Sequence, residues 1–212
     1  MDFHSGIEFI RSSMQLPLPG EEAQYRMAPM QRRSKSEYLS EKPDPRLSSV
    51  LILLYPGQAN RLSTMLIKRP ENQGAHSGQI AFPGGKVEPG EDLADTALRE
   101  TFEEVGVHPD KITLIGPLTS LYIPVSSFLV HPFIGVYPEK PVFNPNPDEV
   151  SALVPASVKE LLEMKTGTME VTTSYGKLNT PYFDLYGHVI WGATAMIISE
   201  FRELMQRAGD GS

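Results

Sequence analysis

The pattern of hydrophobic and polar positions separates a short N-terminal segment from a longer region of mixed strands and helices. Apolar residues near the N-terminus recur at roughly helical spacing and predict a first helix: Phe3, Ile7, Phe9, Ile10 and Met14. The prolines and glycine of LPLPGEE end this helix, and a second break at Pro43 to Pro45 precedes the apolar run SSVLILLY. We therefore divide the chain into an N-terminal helix and arm, 1–45, and a main domain, 46–212.

The main domain alternates between strand-like and helix-like segments. After the first buried strand, further strands are predicted at 65–68, 79–85, 112–115, 118–122 and 128–136. Helices are predicted at 92–104, 153–164 and 193–205. Mixed strands with few helices are typical of the α+β class, and we expect an α/β/α sandwich with a mixed central sheet.

Length and composition favour a single soluble globular domain. The chain has 212 residues, of which 40% are hydrophobic and 21% are charged. No apolar stretch approaches the length that spans a bilayer, and the N-terminus lacks the basic start and apolar run of a secretory signal. We therefore expect a cytoplasmic protein without a membrane partner.

The absence of cysteine and the net charge of −7 narrow the possible chemistry. Without cysteine there is no disulfide, no thiolate metal site and no cysteine nucleophile, so any metal is held by oxygen or imidazole. The negative charge disfavours a nucleic-acid partner, because that binding requires clustered Lys and Arg. The one basic run, Arg32 and Arg33 with Lys35, is short, and we interpret it as a solvated loop.

Three acidic residues cluster on one face of the predicted helix at 92–104. Residues three and four apart are neighbours on a helix, so Glu100, Glu103 and Glu104 converge, at a cost of about 0.2 to 0.5 kcal/mol for each like-charged pair. They also lie near the C-terminal end of the helix, where the helix dipole disfavours anions. Either this face is simply acidic and solvated, or a cation offsets its charge.

A hard divalent cation, Mg²⁺ or Mn²⁺, suits this set of carboxylates, because both ions prefer oxygen ligands. Gly84 and Gly85 let the backbone turn closely enough to offer a carbonyl oxygen. Arg99 lies one turn before Glu103 and can hold the carboxylates through hydrogen bonds. The glycine loop and the helix together therefore predict a metal site.

The spacing of the fixed residues resembles the Nudix box at each of its fixed positions. Gly85 is followed after five residues by Glu91, and Glu91 after seven residues by Arg99-Glu100, Glu103-Glu104 and Gly106. One departure is Thr101, where the pattern prefers an aliphatic residue or alanine; its methyl can pack and its hydroxyl can bond back to a carbonyl. By this resemblance the chain is identified as a member of the Nudix hydrolase superfamily.

The resemblance implies metal-dependent hydrolysis of a diphosphate bond in a small-molecule substrate. It implies that the Gly85 carbonyl, Glu100, Glu103 and Glu104 hold the metal, and that Glu91 and Arg99 orient these ligands. The general base comes either from the box or from a later loop, which leaves Glu100, Glu103 and Glu149 as candidates. The resemblance also implies a homodimer, with the N-terminal arm as the contact.

The segments that flank the box resemble the coenzyme A diphosphatase subfamily. The upstream segment MLIKRPENQGAHSGQIAFPGG and the downstream segment YIPVSSFLVHPFIGVY are similar to blocks of that subfamily. Gly74 replaces an arginine of the upstream pattern. The resemblance implies hydrolysis of coenzyme A or a derivative to 3′,5′-ADP and 4′-phosphopantetheine. The substrate-binding residues that we infer from it are Arg69, His76, Gln79, Phe82 and Ser127.

Two alternatives stay open. Gly74 favours a Nudix hydrolase of ADP-ribose, nucleoside diphosphate sugars or dinucleoside polyphosphates, because a guanidinium is the side chain best suited to bind an additional phosphate. A Nudix-fold binding module without turnover is the other alternative, since a fold does not determine a function. The intact set of box glutamates argues against the second.

Overall fold

The computed structural model describes residues 1–29, 32–71, 77–173 and 176–207. Within these residues the helices are α1 (Phe3–Ser13), α2 (Gly20–Tyr25), α3 (Lys35–Glu41), α4 (Leu93–Val105), α5 (Val158–Glu163) and α6 (Gly192–Arg207). The first strands are β1 (Arg46–Pro56), β2 (Leu62–Lys68), β3 (Ile80–Ala81), β4 (Gly84–Lys86), β5 (Thr113–Pro117) and β6 (Leu121–Ile123). The later strands are β7 (Phe128–Val136), β8 (Ala152–Ser157), β9 (Lys165–Thr173), β10 (Gly176–Leu185) and β11 (His188–Trp191).

Strand β1 lies at the centre of an eight-stranded mixed sheet. It runs parallel to β7 over nine residue pairs, from Arg46 with Phe128 to Leu54 with Val136, and antiparallel to β2 and β4. Strands β3 and β8 pair with β2, and β5 and β6 pair with β7. The apolar run that predicted this strand is buried because both faces of the sheet are covered.

Alternate residues of β1 enter two hydrophobic clusters on opposite faces of the sheet. Leu51 and Leu53 pack in one cluster with Ala97 of α4, whereas Ile52 and Leu54 belong to the cluster that contains residues of α1 and α6. This alternation follows from the two-residue period of a strand. Helices therefore cover both faces, and the expected α+β architecture with a mixed central sheet is confirmed.

The N-terminal segment is held against α6 by a buried carboxylate. Glu200, which is fully buried, accepts hydrogen bonds from the backbone amides of Gly20 and Thr119, both at 3.2 Å, and from the Gln24 side-chain amide at 2.8 Å. The Ser199 hydroxyl donates to the Ala23 carbonyl at 2.6 Å. The segment that the sequence suggested as a helix and arm is thus packed onto the body of the molecule.

The helix predicted at 153–164 is wrong over its first half. Residues Ala152–Ser157 form β8, which pairs antiparallel with β2, and only Val158–Glu163 is helical. The buried residues Val154 and Ala156 are two apart, which is the period of a strand, and Pro155 is unfavourable inside a helix. The Ser157 side chain caps α5 and marks its real start.

The sequence pattern did not predict the second sheet. Strands β9, β10 and β11 form an antiparallel three-stranded sheet that precedes α6. Among the described helices, none is both long enough and apolar enough to cross a membrane.

Candidate active site

Three carboxylates converge where α4 meets the loop that precedes β8, residues 144–150. Glu100, Glu104 and Glu149 each offer an oxygen, and these oxygens lie within 4.8 Å of one another. Glu104 is only 1% exposed, and burial raises its pKa to about 7, with a smaller contribution from the other two carboxylates. Burial also raises the pKa of Glu100, against the effect of the nearby Arg99 guanidinium. A bound cation would stabilise the charged form of this cluster of carboxylates.

Arg99 holds one side of this group together. Its Nη1 donates to Glu100 at 2.9 Å and to Glu103 at 3.0 Å, while its Nε donates to Glu91 at 2.7 Å. The hydrogen bonds from Arg99 lower the pKa of Glu91 to about 2, and those to Glu91 and Glu100 raise the pKa of Arg99. Glu91 also accepts from the Thr96 hydroxyl at 2.6 Å. These hydrogen bonds place the Arg99 guanidinium between Glu91 of the loop and Glu100 and Glu103 of the helix.

The glycine loop, which contains Gly84 and Gly85, packs closely against its neighbours because neither residue has a side chain. A Cβ atom on Gly85 would lie 2.3 to 2.4 Å from the carboxyl group of Glu100, and one on Gly84 would lie 2.3 Å from the Ser49 carbonyl oxygen. The Gly84 amide donates to Glu104 at 2.8 Å, and Arg69 donates to the Gly84 carbonyl at 2.9 Å. The glycine backbone thus lies directly against hard oxygen donors of the kind that a divalent metal ion prefers.

The carbonyls at the end of α4 position Glu149. The last carbonyls of a helix have no partner within the helix, and here those of Glu104 and Val105 accept from the amides of Asn146 and Asn144. Gly106, with a φ of 75°, turns the chain directly after the helix. The loop that carries Glu149 is therefore attached to the helix that carries the other carboxylates.

Glu103 lies apart from the three converging carboxylates. Its side chain is 46% exposed and accepts from Arg99, but it is outside the group formed by Glu100, Glu104 and Glu149. The Thr101 hydroxyl donates back to the Ala97 carbonyl at 2.7 Å, as its position on the helix suggested. Phe102 of the same helix is 45% exposed.

A cavity of about 1040 Å³ opens beside the glycine loop. One end contains Gly84, Gly85 and Lys86, next to the converging carboxylates. Another part is largely apolar and is formed by the second sheet and the start of α6. The apolar residues that line this part include Val171, Leu178, Trp191, Met196 and Ile197.

Three of the five predicted substrate-binding residues line this cavity: Arg69, Gln79 and Phe82. Phe82 is 1% exposed, so it forms part of the floor. Ser127 has a φ of 52° and accepts from Lys42 at 3.3 Å, while its neighbour Ser126 lines the cavity. His76 and Gly74 lie outside the described residues.

The N-terminal segment contributes a wall of the cavity that the sequence did not predict. Arg32, Tyr38 and Lys42 line it, and Tyr38 stacks on Tyr122 with 5.2 Å between ring centroids. The Arg32 guanidinium is part-buried and donates to the Tyr122 carbonyl, so the interpretation of this basic run as a solvated loop is wrong at Arg32.

The comparisons with known proteins agree with the fold and with the box. A family model described as the NUDIX domain matches residues 45–173. Nudix hydrolase 15, mitochondrial, of Arabidopsis thaliana is 36% identical over 176 residues, which are 76% of this chain and 60% of that protein. Nudix hydrolase 3 of Caenorhabditis elegans is 36% identical over 127 residues, 58% of this chain and 52% of that protein.

A bacterial relative and two solved structures extend this similarity. The uncharacterized Nudix hydrolase NudL of Photorhabdus laumondii is 33% identical over 67% of this chain and 76% of its own length. The crystal structure of the Nudix hydrolase RenU from M. smegmatis has a TM-score of 0.55 at 14% identity, covering 77% of this chain and 87% of that one. A MutT/nudix family protein from Enterococcus faecalis has a TM-score of 0.52 at 19% identity, covering 91% and 76%.

The fold and the site define a protein with a Nudix-type loop and helix. The chain belongs to the Nudix family, because the NUDIX model matches more than half of it. The chain spans 52% of the C. elegans relative and 60% of the A. thaliana relative.

Proposed function

We propose that this protein is a divalent-metal-dependent hydrolase of a nucleoside diphosphate derivative, with coenzyme A or a coenzyme A derivative as substrate. The observation that supports this function best is the convergence of Glu100, Glu104 and Glu149 within 4.8 Å beside the glycine loop of a large cavity. A group of carboxylates with a buried member is costly without a cation. A diphosphate would enter from the cavity.

In this proposal Glu100, Glu104 and the Gly85 carbonyl hold Mg²⁺ or Mn²⁺. The bound ion would offset the charge of the diphosphate and make water a better nucleophile near neutral pH. Arg99 and Glu91 position Glu100, and Arg69 fixes the Gly84 carbonyl through its 2.9 Å hydrogen bond. Glu103 is an outer carboxylate that Arg99 holds in place.

The shape of the cavity supports a substrate that is larger than a simple nucleotide. Its volume of about 1040 Å³ is at the upper end of the roughly 300 to 1,000 Å³ that ligand pockets usually have. Arg69 and Lys86 supply positive charge near the glycine loop, and the apolar part around Trp191 suits a moiety without charge. Coenzyme A combines a diphosphate with a long pantetheine arm and therefore matches both parts.

ADP-ribose and dinucleoside polyphosphates are the second candidate substrates, favoured by Gly74 at the position of an arginine in the coenzyme A pattern. Hydrolysis of coenzyme A, ADP-ribose and diadenosine tetraphosphate can be compared through kcat/KM at saturating Mg²⁺. We expect the highest value for coenzyme A. A higher value for either competitor overturns the coenzyme A assignment and leaves metal-dependent hydrolysis in place.

The central test is the substitution Glu104→Gln. Glutamine keeps an acceptor for the Gly84 amide but removes the charge that the metal requires. We expect kcat to fall by more than the roughly 10- to 100-fold that loss of an outer-shell partner of a metal site costs. Thermal unfolding would show that the variant stays folded.

Asp95→Asn is the matched control, because Asp95 is exposed on the same helix and faces away from the buried side. It should leave kcat within about twofold, as expected for a surface change. Full activity of Glu104→Gln would contradict the proposed metal site.

A further inference from the structure

The charged residues of the cavity lie in two places. Arg69 and Lys86 are near the glycine loop, and Arg32 and Lys42 are on the wall that the N-terminal segment forms. Glu41 also lines the cavity, but Arg33 binds its carboxylate with two hydrogen bonds of 2.8 and 3.0 Å. The wall therefore presents positive charge to the cavity, although the whole chain carries a net charge of −7.

This wall is built by contacts of the N-terminal segment with strand β6 and with the turn that joins β6 to β7. Arg32 donates to the Tyr122 carbonyl, and the Lys42 ammonium donates to the Ser127 hydroxyl at 3.3 Å. The Arg32 guanidinium also lies 5.4 Å from the centroid of the Tyr25 ring. These contacts hold Arg32 at strand β6 and Lys42 at the turn that follows this strand.

Two polar atoms in this wall are buried and have no hydrogen-bond partner among the described residues: Nε of Arg32 and Oγ of Ser126. Both residues line the cavity. A buried donor without an acceptor costs free energy, so such atoms are uncommon unless a ligand or water completes them. A phosphate is an acceptor that suits both a guanidinium and a hydroxyl.

We propose that Arg32, with Lys42 and Ser126, forms a second anion subsite that binds a substrate phosphate outside the hydrolysed diphosphate. This inference rests on the proposed function. A nucleotide derivative with an additional phosphate on its ribose is the chemical class that carries such a group. In this chain Gly74 replaces the arginine of the upstream sequence pattern. The proposed subsite supplies a guanidinium from the N-terminal segment instead.

The test compares coenzyme A with 3′-dephospho-coenzyme A, which differ only in the additional phosphate. We expect Arg32→Gln to lower kcat/KM for coenzyme A by roughly 10- to 100-fold, mainly through KM, because a hydrogen bond to a charged group is lost. For the dephospho substrate kcat/KM should change by less than about threefold, and Arg32→Lys should recover part of the loss. An equal fall for both substrates overturns the subsite, since it would mean that Arg32 only supports the wall.

Two further variants keep the test independent of folding. Lys42 is exposed, so Lys42→Gln should fold and should lower kcat/KM for coenzyme A more than for the dephospho substrate. Arg26→Gln is the matched control, because Arg26 pairs with Glu203 at the surface and does not line the cavity. If both Arg32→Gln and Lys42→Gln keep the ratio of kcat/KM for coenzyme A to kcat/KM for the dephospho substrate, the proposal is overturned.

A binding measurement separates failure of the subsite from failure of the proposed function. The Kd values of 3′,5′-ADP and 5′-AMP can be measured by calorimetry with the full chain in the presence of Mg²⁺. We expect tighter binding of 3′,5′-ADP, and loss of that preference in Arg32→Gln. Equal Kd values in the unsubstituted protein overturn the subsite, whereas a preference without hydrolysis of any diphosphate overturns the proposed function alone.

Discussion

Glu100, Glu103 and Glu149 differ in the groups that their carboxylates contact. Arg99 donates to both Glu100 and Glu103, so each of these carboxylates is already paired with a guanidinium. Glu149 accepts from the Asn146 side chain at 3.3 Å and forms no salt bridge within the described part of the chain. It is also the exposed member of the converging group. We infer that Glu149 is the best candidate for the general base.

The substitution Glu149→Gln should lower kcat by about 10²- to 10⁴-fold, the contribution that a general base usually makes. It should also remove the limb of the pH–rate profile in which the rate rises with pH, since glutamine does not titrate. Profiles of kcat against pH at saturating metal check this prediction.

Asp148→Asn provides the comparison, because Asp148 is the adjacent exposed acid in the same loop. It should preserve the shape of the profile. If Glu149→Gln keeps the rising limb, the base lies among Glu100 and Glu103 instead.

At the scale of elements, the ion pair between Glu91 and Arg99 joins the loop after β4 to helix α4. Arg99 donates to the two oxygens of Glu91 at 2.7 and 3.0 Å, and Thr96 donates to the same carboxylate. The Lys86 carbonyl accepts from Arg99 at 3.1 Å, which adds β4 to the connection. The pair therefore holds the glycine loop and the helix in one arrangement.

Glu91→Gln should lower the free energy of unfolding by on the order of 2 kcal/mol at pH 7. The pKa of Glu91 is lowered to about 2 by the hydrogen bonds from Arg99, so the folded protein binds fewer protons than the unfolded chain between the two pKa values. The stabilisation is therefore complete above the ordinary glutamate pKa of 4.5 and is lost as the pH falls through about 2. Urea unfolding at several pH values measures this.

The difference between Glu91→Gln and the unsubstituted protein should shrink as the solution is acidified. Glu88→Gln, a change of an exposed acid in the same loop, should produce a difference of less than about 0.5 kcal/mol at each pH. A difference for Glu91→Gln that is the same at pH 7 and pH 3 would show that the charge of Glu91 does not stabilise the fold.

At the scale of the whole molecule, the buried Glu200 connects the N-terminal segment to α6 and to the chain after β5. Its carboxylate accepts from Gly20, Gln24 and Thr119, and it is fully buried. The same segment continues to the cavity wall that contains Arg32. The attachment of the segment at Glu200 therefore supports a wall of the candidate active site.

Glu200→Gln should lower the free energy of unfolding by about 2 kcal/mol, because buried donors lose a charged acceptor. It should also increase cleavage of the N-terminal segment by a protease. Denaturant unfolding and limited proteolysis check the two effects. Glu203→Gln, on the same helix with surface ion pairs to Arg26 and Arg207, should cost less than about 1 kcal/mol. Equal effects of the two substitutions would contradict the role of Glu200.

Local sequence determined the elements whose signals lie within one turn or one strand. The apolar run before Pro56 becomes β1, and the box becomes a glycine loop followed by a helix that Gly106 ends. Arg99 and Glu103 meet because residues four apart are neighbours on a helix. These features depend on backbone periodicity and on the conformations of single residues, which a sequence shows directly.

The tertiary structure alone decided which groups meet across long separations in the chain. Packing of the loop at 144–150 onto the end of α4 brings Glu149 to Glu100 and Glu104, and packing of the N-terminal segment brings Arg32 to the cavity. The sheet of β9, β10 and β11, which supplies part of the apolar lining, was also missing from the sequence prediction. Contacts of this kind depend on how the hydrophobic faces of whole elements pack together, and no local period in the sequence records that arrangement.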